Sequence, residues 1–433
     1  MGRTTVCTLL FVMVLAACGQ GGDDVDTPRT DHAPITELPR ALTASERAVV
    51  GASNGFGLEL AARTTAADTR PNVALSPLSA SMVLAMALNG ANGTTFDGMR
   101  STLGFDQLSQ QQINDTYRNL LDLLTGLDPK VRFEIANAVF TNQGVPFNDS
   151  FFQSVTAAFD ARVESKNFGD PATVTAINTW VKEHTGGVIN GIVDSLDPSL
   201  VMLLVNAVYF EAEWTSRFDP ANTRRKPFRR EDGSTVDVDM MSSGNNQVRW
   251  ASGATYSAVE LPYGGQAFSM VVVLPSPGAS ARDWLASLDA SAWSALIDRL
   301  TEQHIDEVSI PKFTLTHDAN LNDTLKAMGM DAAFRPGADF TRMSPMGNQM
   351  CIDFVRQKTR IEVDERGTRA ASVTAAGVGL VSFSSFVADR PFVFAIRERL
   401  SGTVLFLGLV EDPTAADPGP APLVSDCTGS ALP

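Results

Sequence analysis

The sequence predicts a mixed α+β fold, and three kinds of segment predict it. Runs with apolar residues at helical spacing, such as Ser45 to Ala67 and Val174 to His184, alternate with short apolar runs that read as buried strands, such as Val201 to Phe210 and Phe268 to Leu274. The chain then closes with two wholly apolar segments, Phe392 to Ile396 and Val404 to Val410, joined through Ser401 and Gly402 as a hairpin. With 433 residues, 44% apolar and 19% charged, there is material for a sizeable core, and large mixed folds run this long as one domain.

The N-terminus reads as a targeting segment. Arg3 supplies a positive end, Leu9 to Ala17 an apolar run too short to span a bilayer, and Leu15, Ala16, Ala17, Cys18 resembles a bacterial lipoprotein cleavage box. Removal of residues 1–17 would leave Cys18 to carry lipid, tethering an exported body to a cell-envelope membrane on its periplasmic or outer face. A plain signal peptide cut nearby is the other reading. Residues 18–44, with Asp23, Asp24, Asp26, Pro28, Pro34 and Pro39, bury too little to fold and read as a disordered tether. The folded domain is expected over 45–413 and a disordered tail over 414–433.

Along the body, Val49, Phe56, Leu60 and Ala61 recur at helical spacing, and Val73 to Leu75 precede a second helical run opened by Ser76, Pro77, Leu78 and Ser79. Phe133 to Phe140 is a strand, Phe151 to Phe159 and Val174 to His184 are helices, and Val201 to Phe210 is a strand buried on both faces. Arg224, Arg225, Lys226, Arg229 and Arg230 form a basic cluster that reads as a solvated turn. Beyond it come the strand Phe268 to Leu274, a helix Trp284 to Leu300, a strand Val308 to Leu315 and a short helix Leu321 to Met328.

Several chemistries lack their residues. A formal charge of −15 excludes general nucleic-acid binding, because phosphate contacts need clustered Lys and Arg. Gly51 to Gly55 matches GxSxG, but no buried strand precedes it and His184, His304 and His317 have no recognisable partner, so no hydrolase is read here and no enzyme is expected. No metal spacing or phosphate-binding glycine loop is present, and no cofactor is expected. Cys351 and Cys427 are left over once the leader and Cys18 are set aside; an exported pair can form a disulfide, which sequence alone does not settle.

Residues 358–390 are the segment the rest of the chain supports. Ile361 and Val363 alternate with polar neighbours, the period of a strand with one buried face. From Gly367 to Gly379 every residue but Arg369 is Gly, Ala, Ser, Thr or Val, with no proline. Thr368, Ala370, Ser372, Thr374, Ala376 and Val378 share one face of an extended chain, all uncharged, and Arg369 falls on the other. Two readings stand: a strand waiting for a sheet, or a flexible Gly/Ala linker.

Glu365, Gly367, Thr368, Ala370 and Ala371 resemble the hinge of the serpin family, and Arg390, Pro391, Phe392, Phe394, Gly408 and Pro413 resemble its C-terminal signature. The resemblance runs from about Ser45 to Pro413 and takes in Asn137, Ala138 and Phe140, Thr185, Gly187 and Ile189, and Asn206, Tyr209, Phe210 and Trp214. It implies a large mixed main sheet, two further sheets, eight or nine surrounding helices and an exposed reactive-centre loop. It also implies that Ser76, Ser79, Asn206, Trp214 and Gln357 sit in the shutter and breach that govern opening of the main sheet. Trp214 is equally compatible with a plain core tryptophan. Val188 stands where a lysine is usual, and Gln357 where many members place a histidine; glutamine both donates and accepts hydrogen bonds.

Function follows from the same resemblance. Family spacing, sixteen residues beyond Glu365, puts the scissile bond between Val381 and Ser382, with Leu380 to Val381 as the alternative register. The resemblance implies a monomeric suicide substrate that traps a serine protease as an acyl-enzyme by strand insertion, a mechanism of strand addition and stored strain. Val381 suits an elastase-like or subtilisin-like enzyme, while Leu380 or Phe383 suits a chymotrypsin-like one; a cysteine protease also forms an acyl-enzyme. The rival is a non-inhibitory binding or carrier serpin, which would carry proline or bulky or charged residues on the inward loop face.

Overall fold

The computed structural model of the protein describes residues 33–367 and 384–416. In chain order the elements are α1 (Ala44–Ala67), β1 (Asn72–Leu75), α2 (Pro77–Leu88), α3 (Gly93–Thr102), α4 (Gln110–Leu124), β2 (Val131–Asn142), α5 (Asp149–Phe159), β3 (Arg162–Lys166), α6 (Pro171–Glu183) and β4 (Met202–Ala212). They continue with β5 (Arg224–Arg229), β6 (Thr235–Ser252), β7 (Tyr256–Tyr263), β8 (Phe268–Pro275), α7 (Ala281–Ala286), α8 (Ala290–Arg299), β9 (Thr301–Pro311) and β10 (Phe313–Asn320). The last are α9 (Asn322–Leu325), β11 (Arg356–Val363), β12 (Ser385–Val387), β13 (Phe392–Glu398) and β14 (Val404–Val410).

The strands form three sheets. The largest runs β1-β14-β13-β8-β7-β6-β9-β12 with β5 paired to β6, antiparallel except where β12 lies parallel to β9. The others are a three-stranded β3-β2-β4 and a two-stranded β10-β11. The expected C-terminal hairpin lies inside the large sheet between β1 and β8: β8, β13 and β14 are buried at every position, as apolar runs without alternation require. Gly408 sits there because a Cβ would lie 2.6 Å from the Phe394 ring. Arg390 donates to the Pro275 carbonyl at 2.9 Å and so fixes the entry to β13.

Four segments differ from the sequence reading, each for a local reason. Val201 to Phe210 was expected to be buried on both faces, yet β4 is fully covered mainly at alternate positions, because Leu204, Asn206 and Val208 face the gap toward β11. Trp284 to Leu300 is two helices, since Asp289 accepts the Ala292 N–H at 2.7 Å and caps a new helix that apolar periodicity hid. Val308 to Leu315 spans two strands in different sheets, parted at Lys312, whose side chain turns to Glu365 at 2.9 Å. The basic cluster expected as a turn lies on or beside β5, with Arg225, Lys226 and Arg230 facing Asp239, Glu307 and Asp412.

The stretch assigned to the tether is ordered at its C-terminal end. Over 33–43, Ile35 donates to the Gly265 carbonyl at 2.7 Å, and Arg40 makes a bidentate pair with Glu46 at 2.8 and 2.7 Å. Glu46 closes a capping box with Thr43 at the start of α1, accepting the Thr43 N–H at 2.7 Å. Its side chain is fully buried, so the charge needs this arginine.

The Arg40 guanidinium, helped by Thr43, holds the Glu46 carboxyl down at about 2. A folded pKa below the unfolded one adds stability that is complete above about pH 5 and drains as pH falls toward about 2. Arg40 is half exposed, so solvent screens the pair. Arg40→Ala is therefore expected to cost about 1–2 kcal/mol at neutral pH, with variant and wild-type urea midpoints converging on acidification.

Candidate functional site

The site begins where β11 ends. Along β11, Gln357, Thr359, Ile361 and Val363 are buried and their neighbours are half-buried, the alternation expected of a strand with one covered face. After Asp364 the chain reverses: the Asp364 N–H donates to the Gly367 carbonyl at 3.0 Å, and the Gly367 N–H to the Asp364 carbonyl at 3.2 Å, closing a tight turn around Glu365 and Arg366. Gly367 also bridges antiparallel to Glu213 at the end of β4, so it lies between the two strand ends. Its φ is +124°, and a Cβ would come within 2.5 Å of the Ala212 carbonyl oxygen and the Trp214 nitrogen. Only glycine fits.

Trp214 fastens this junction. Its indole N–H donates to the Asp364 carbonyl at 3.0 Å and its backbone N–H to the Arg366 carbonyl at 2.9 Å. The ring stacks on Tyr263 at 4.4 Å and 10°, and meets Phe218 edge-on at 6.1 Å. Trp214 is thus both a core tryptophan and a clasp between strands. Glu365 completes the turn through Thr223 at 2.8 Å and Lys312 at 2.9 Å. Burial pushes the Glu365 carboxyl up, but those two donors outweigh it and hold it below the ordinary carboxylate range.

Below the turn, β4 and β11 face each other across a seam with no ladder between them among the described residues. Cavities line the seam. One of about 60 Å³ touches Phe210, Glu211, Glu362 and Asp364; one of about 40 Å³ touches Ser76, Ser79, Asn206 and Gln357; one of about 150 Å³ lies between Leu200–Val205 and Met350–Arg356.

The middle cavity gathers four residues singled out from the sequence. Ser76 caps α2, accepting the Ser79 N–H at 3.4 Å and donating its hydroxyl to the Leu405 carbonyl at 2.7 Å. The Gln357 amide grips the Ser76 backbone twice, accepting its N–H at 2.8 Å and donating to its carbonyl at 2.9 Å. Asn206 donates to Asn137 Oδ1 at 2.7 Å, and Asn137 donates onward to the Phe159 carbonyl at 2.7 Å. Asn206 Oδ1 is buried and has no hydrogen-bond partner among the described residues.

The family model described as "Serpin (serine protease inhibitor)" matches residues 51–413. The chain belongs to the serpin family. It is 32% identical over 369 residues to chicken (Gallus gallus) neuroserpin, covering 81% of this chain and 88% of that one. Among solved structures it resembles a thermophilic serpin, tengpin, in its native state, with a TM-score of 0.76 at 30% identity over 88% of this chain and 96% of that one. It also resembles human thyroxine-binding globulin, with a TM-score of 0.78 at 26% identity over 86% of this chain and all of that one.

In this serpin the structure brings Glu365, Gly367 and Trp214 together at one end of the seam, and Ser76, Ser79, Asn206 and Gln357 at its middle. Thr368, Ala370, Ala371, Leu380, Val381, Ser382 and Cys18 lie outside the described residues. Cys351 is disulfide-bonded, and its partner also lies outside them. The GxSxG match is interior to α1, with Ser53 buried. His184 stacks on Trp180, His304 lies 3.9 Å from Asp306, and His317 is buried against Asp68 and the Ala74 carbonyl. No cluster that could hold a metal ion is found among the described residues.

Sequence reasoning missed Tyr263, Thr223 and Lys312. Only Lys312 carried a signal, as the one charge inside the apolar run Val308 to Leu315. Replacing Gln357 with alanine would orphan the buried Ser76 N–H, while the Ser76 carbonyl would keep the Ala80 N–H at 3.1 Å. Gln357→Ala is therefore expected to lower stability by about 1–3 kcal/mol, read as a shift in the guanidinium unfolding midpoint.

Proposed function

We propose that this serpin is an inhibitor of serine proteases that acts as a suicide substrate. One observation carries the reading: Gly367 is already turned back between the ends of β4 and β11, bridged to Glu213 on one side and bonded to Asp364 on the other. Extended from Gly367 and Glu213, that register would set Val378 against Met202, the first residue of β4, so a strand from Thr368 to Val378 would have the length of the seam. Every residue on the uncharged parity of that segment is small enough to face a core, and Arg369 falls outward.

In the proposed reaction the protease serine oxygen attacks the Val381 carbonyl carbon. An ester bond forms, the Val381–Ser382 amide bond breaks, and the Ser382 nitrogen leaves as an amine carrying the proton delivered by the protease base. The freed strand then enters the seam with the acyl-linked protease attached. Each ladder hydrogen bond is worth only about 1 kcal/mol net, but about a dozen residues paired on both sides total on the order of 10 kcal/mol, enough to make capture practically irreversible.

Elastase-like or subtilisin-like proteases fit cleavage after Val381, and chymotrypsin-like enzymes fit cleavage after Leu380 or Phe383. The inward face carries neither proline nor charge, which favours inhibition over the carrier role that the thyroxine-binding globulin likeness brings to mind. The mature protein is proposed to be a monomer exported and held at a cell-envelope membrane by lipid on Cys18, supported by the cleavage box Leu15 to Cys18.

Incubation with a panel of such proteases should give an SDS-stable complex and a cut that mass spectrometry places at residues 380–383. Thr368→Arg should abolish the complex while the loop is still cut, because insertion would have to bury a guanidinium. An undiminished complex from that variant would refute strand entry.

A further inference from the structure

A band of polar side chains crosses four neighbouring strands of the large sheet: Arg249 on β6, Glu260 on β7, Ser269 on β8 and Arg397 on β13, with Arg399 just beyond β13. Glu260 is buried and lies at the centre of the band. Its Oε1 accepts the Ser269 hydroxyl at 2.7 Å and the Arg397 Nε at 3.1 Å, which uses both lone pairs, and its Oε2 accepts Arg249. Arg249 also donates to the Leu300 carbonyl at 2.8 Å. Arg399 donates to the Gln266 carbonyl at 2.9 Å, but its Nε stops 3.6 Å from Glu260 Oε1 and is buried with no hydrogen-bond partner among the described residues.

Three guanidiniums thus meet one carboxylate, and the nearby acids do not make up the difference. Glu398 is committed to the Leu400 and Ser401 N–H groups at 2.7 and 2.6 Å. Glu302, opposite Arg249 on β9, is exposed and makes no ion pair with it. The Arg397 side chain is only 6% exposed and, among the described residues, donates through Nε alone, so its two terminal nitrogens are unmet. Burial, with Arg249 and Arg399 alongside, pulls its guanidinium below the ordinary value even with Glu260 in contact. Buried charge without a counter-charge is costly, and this excess sits in a chain whose formal charge is −15. The Arg249 and Arg399 side chains are 25% and 23% exposed, which opens the cluster to solvent. We propose that Arg397 and Arg399, backed by Arg249, bind a small tetrahedral oxyanion, free phosphate or sulfate, which supplies the missing negative charge. The planar guanidinium fork matches the oxygens of such an ion and holds it by charge-assisted hydrogen bonds. The site uses no residue of the seam, and it stands whether or not the chain inhibits a protease.

Calorimetric titration of the full-length protein with inorganic phosphate, and separately with sulfate, in a low-salt buffer should show one site per chain. Arg399→Gln, a partly exposed position, should weaken binding about tenfold or more, the effect of losing one charge-assisted hydrogen bond. Glu260→Gln removes the competing carboxylate; it should lower Tm in anion-free buffer, bind phosphate several-fold more tightly than wild type, and recover Tm as phosphate is added. Both anions also stabilise proteins by exclusion from their surfaces, which raises Tm of wild type and Arg399→Gln alike, so the difference between the two is the measure of the site. Absence of binding by either anion at millimolar concentration, or equal affinity in wild type and Arg399→Gln, overturns the proposal, and that comparison decides it even if Glu260→Gln does not fold.

Discussion

Two strand ends with no ladder between them among the described residues are held in one place by Trp214. Its indole and backbone N–H groups donate to the carbonyls of Asp364 and Arg366, and its ring is pinned by Tyr263 and Phe218. β4 belongs to β3-β2-β4 and β11 to β10-β11, and without that clasp only the Gly367 bridge to Glu213 and the contacts of Glu365 would set their separation at this end. The position of Gly367 follows from it. The two strands face each other with their separation held at one end by the clasp, while Gln357 ties β11 to the start of α2.

The large sheet answers a different demand. Its strands β8, β13 and β14 are buried at every position, and β13 and β14 carry the signature residues Phe392, Phe394 and Gly408. Gly408 shows how tight that packing is, since Phe394 occupies the space a side chain would need. A seam can stay open only beside a body that does not yield, and this sheet supplies one.

What could be read from the sequence depended on how local the cause was. The β13–β14 hairpin and the buried face of β11 were legible because period and composition act over a few residues. The hinge glycine was legible as a motif, but not the reason for it, since the carbonyl that would strike its Cβ comes from Ala212, more than a hundred residues away. Thr223 and Tyr263 went unseen for the same reason, and Lys312 was missed although it is the one charge inside Val308 to Leu315. Asp289 was a missed local signal, a helix cap masked by apolar residues on either side. Ordering over 33–43 was hidden because composition counts what a segment can bury by itself, not that Ile35 and Arg40 find partners supplied by the body.

The grip of Gln357 on the Ser76 backbone has one more implication. A primary amide neither gains nor loses a proton across any acidity a folded protein survives, and both groups it holds are peptide groups with the same indifference. That fastening therefore answers to heat and to mechanical separation of β11 from the start of α2, but not to acidification of the surroundings.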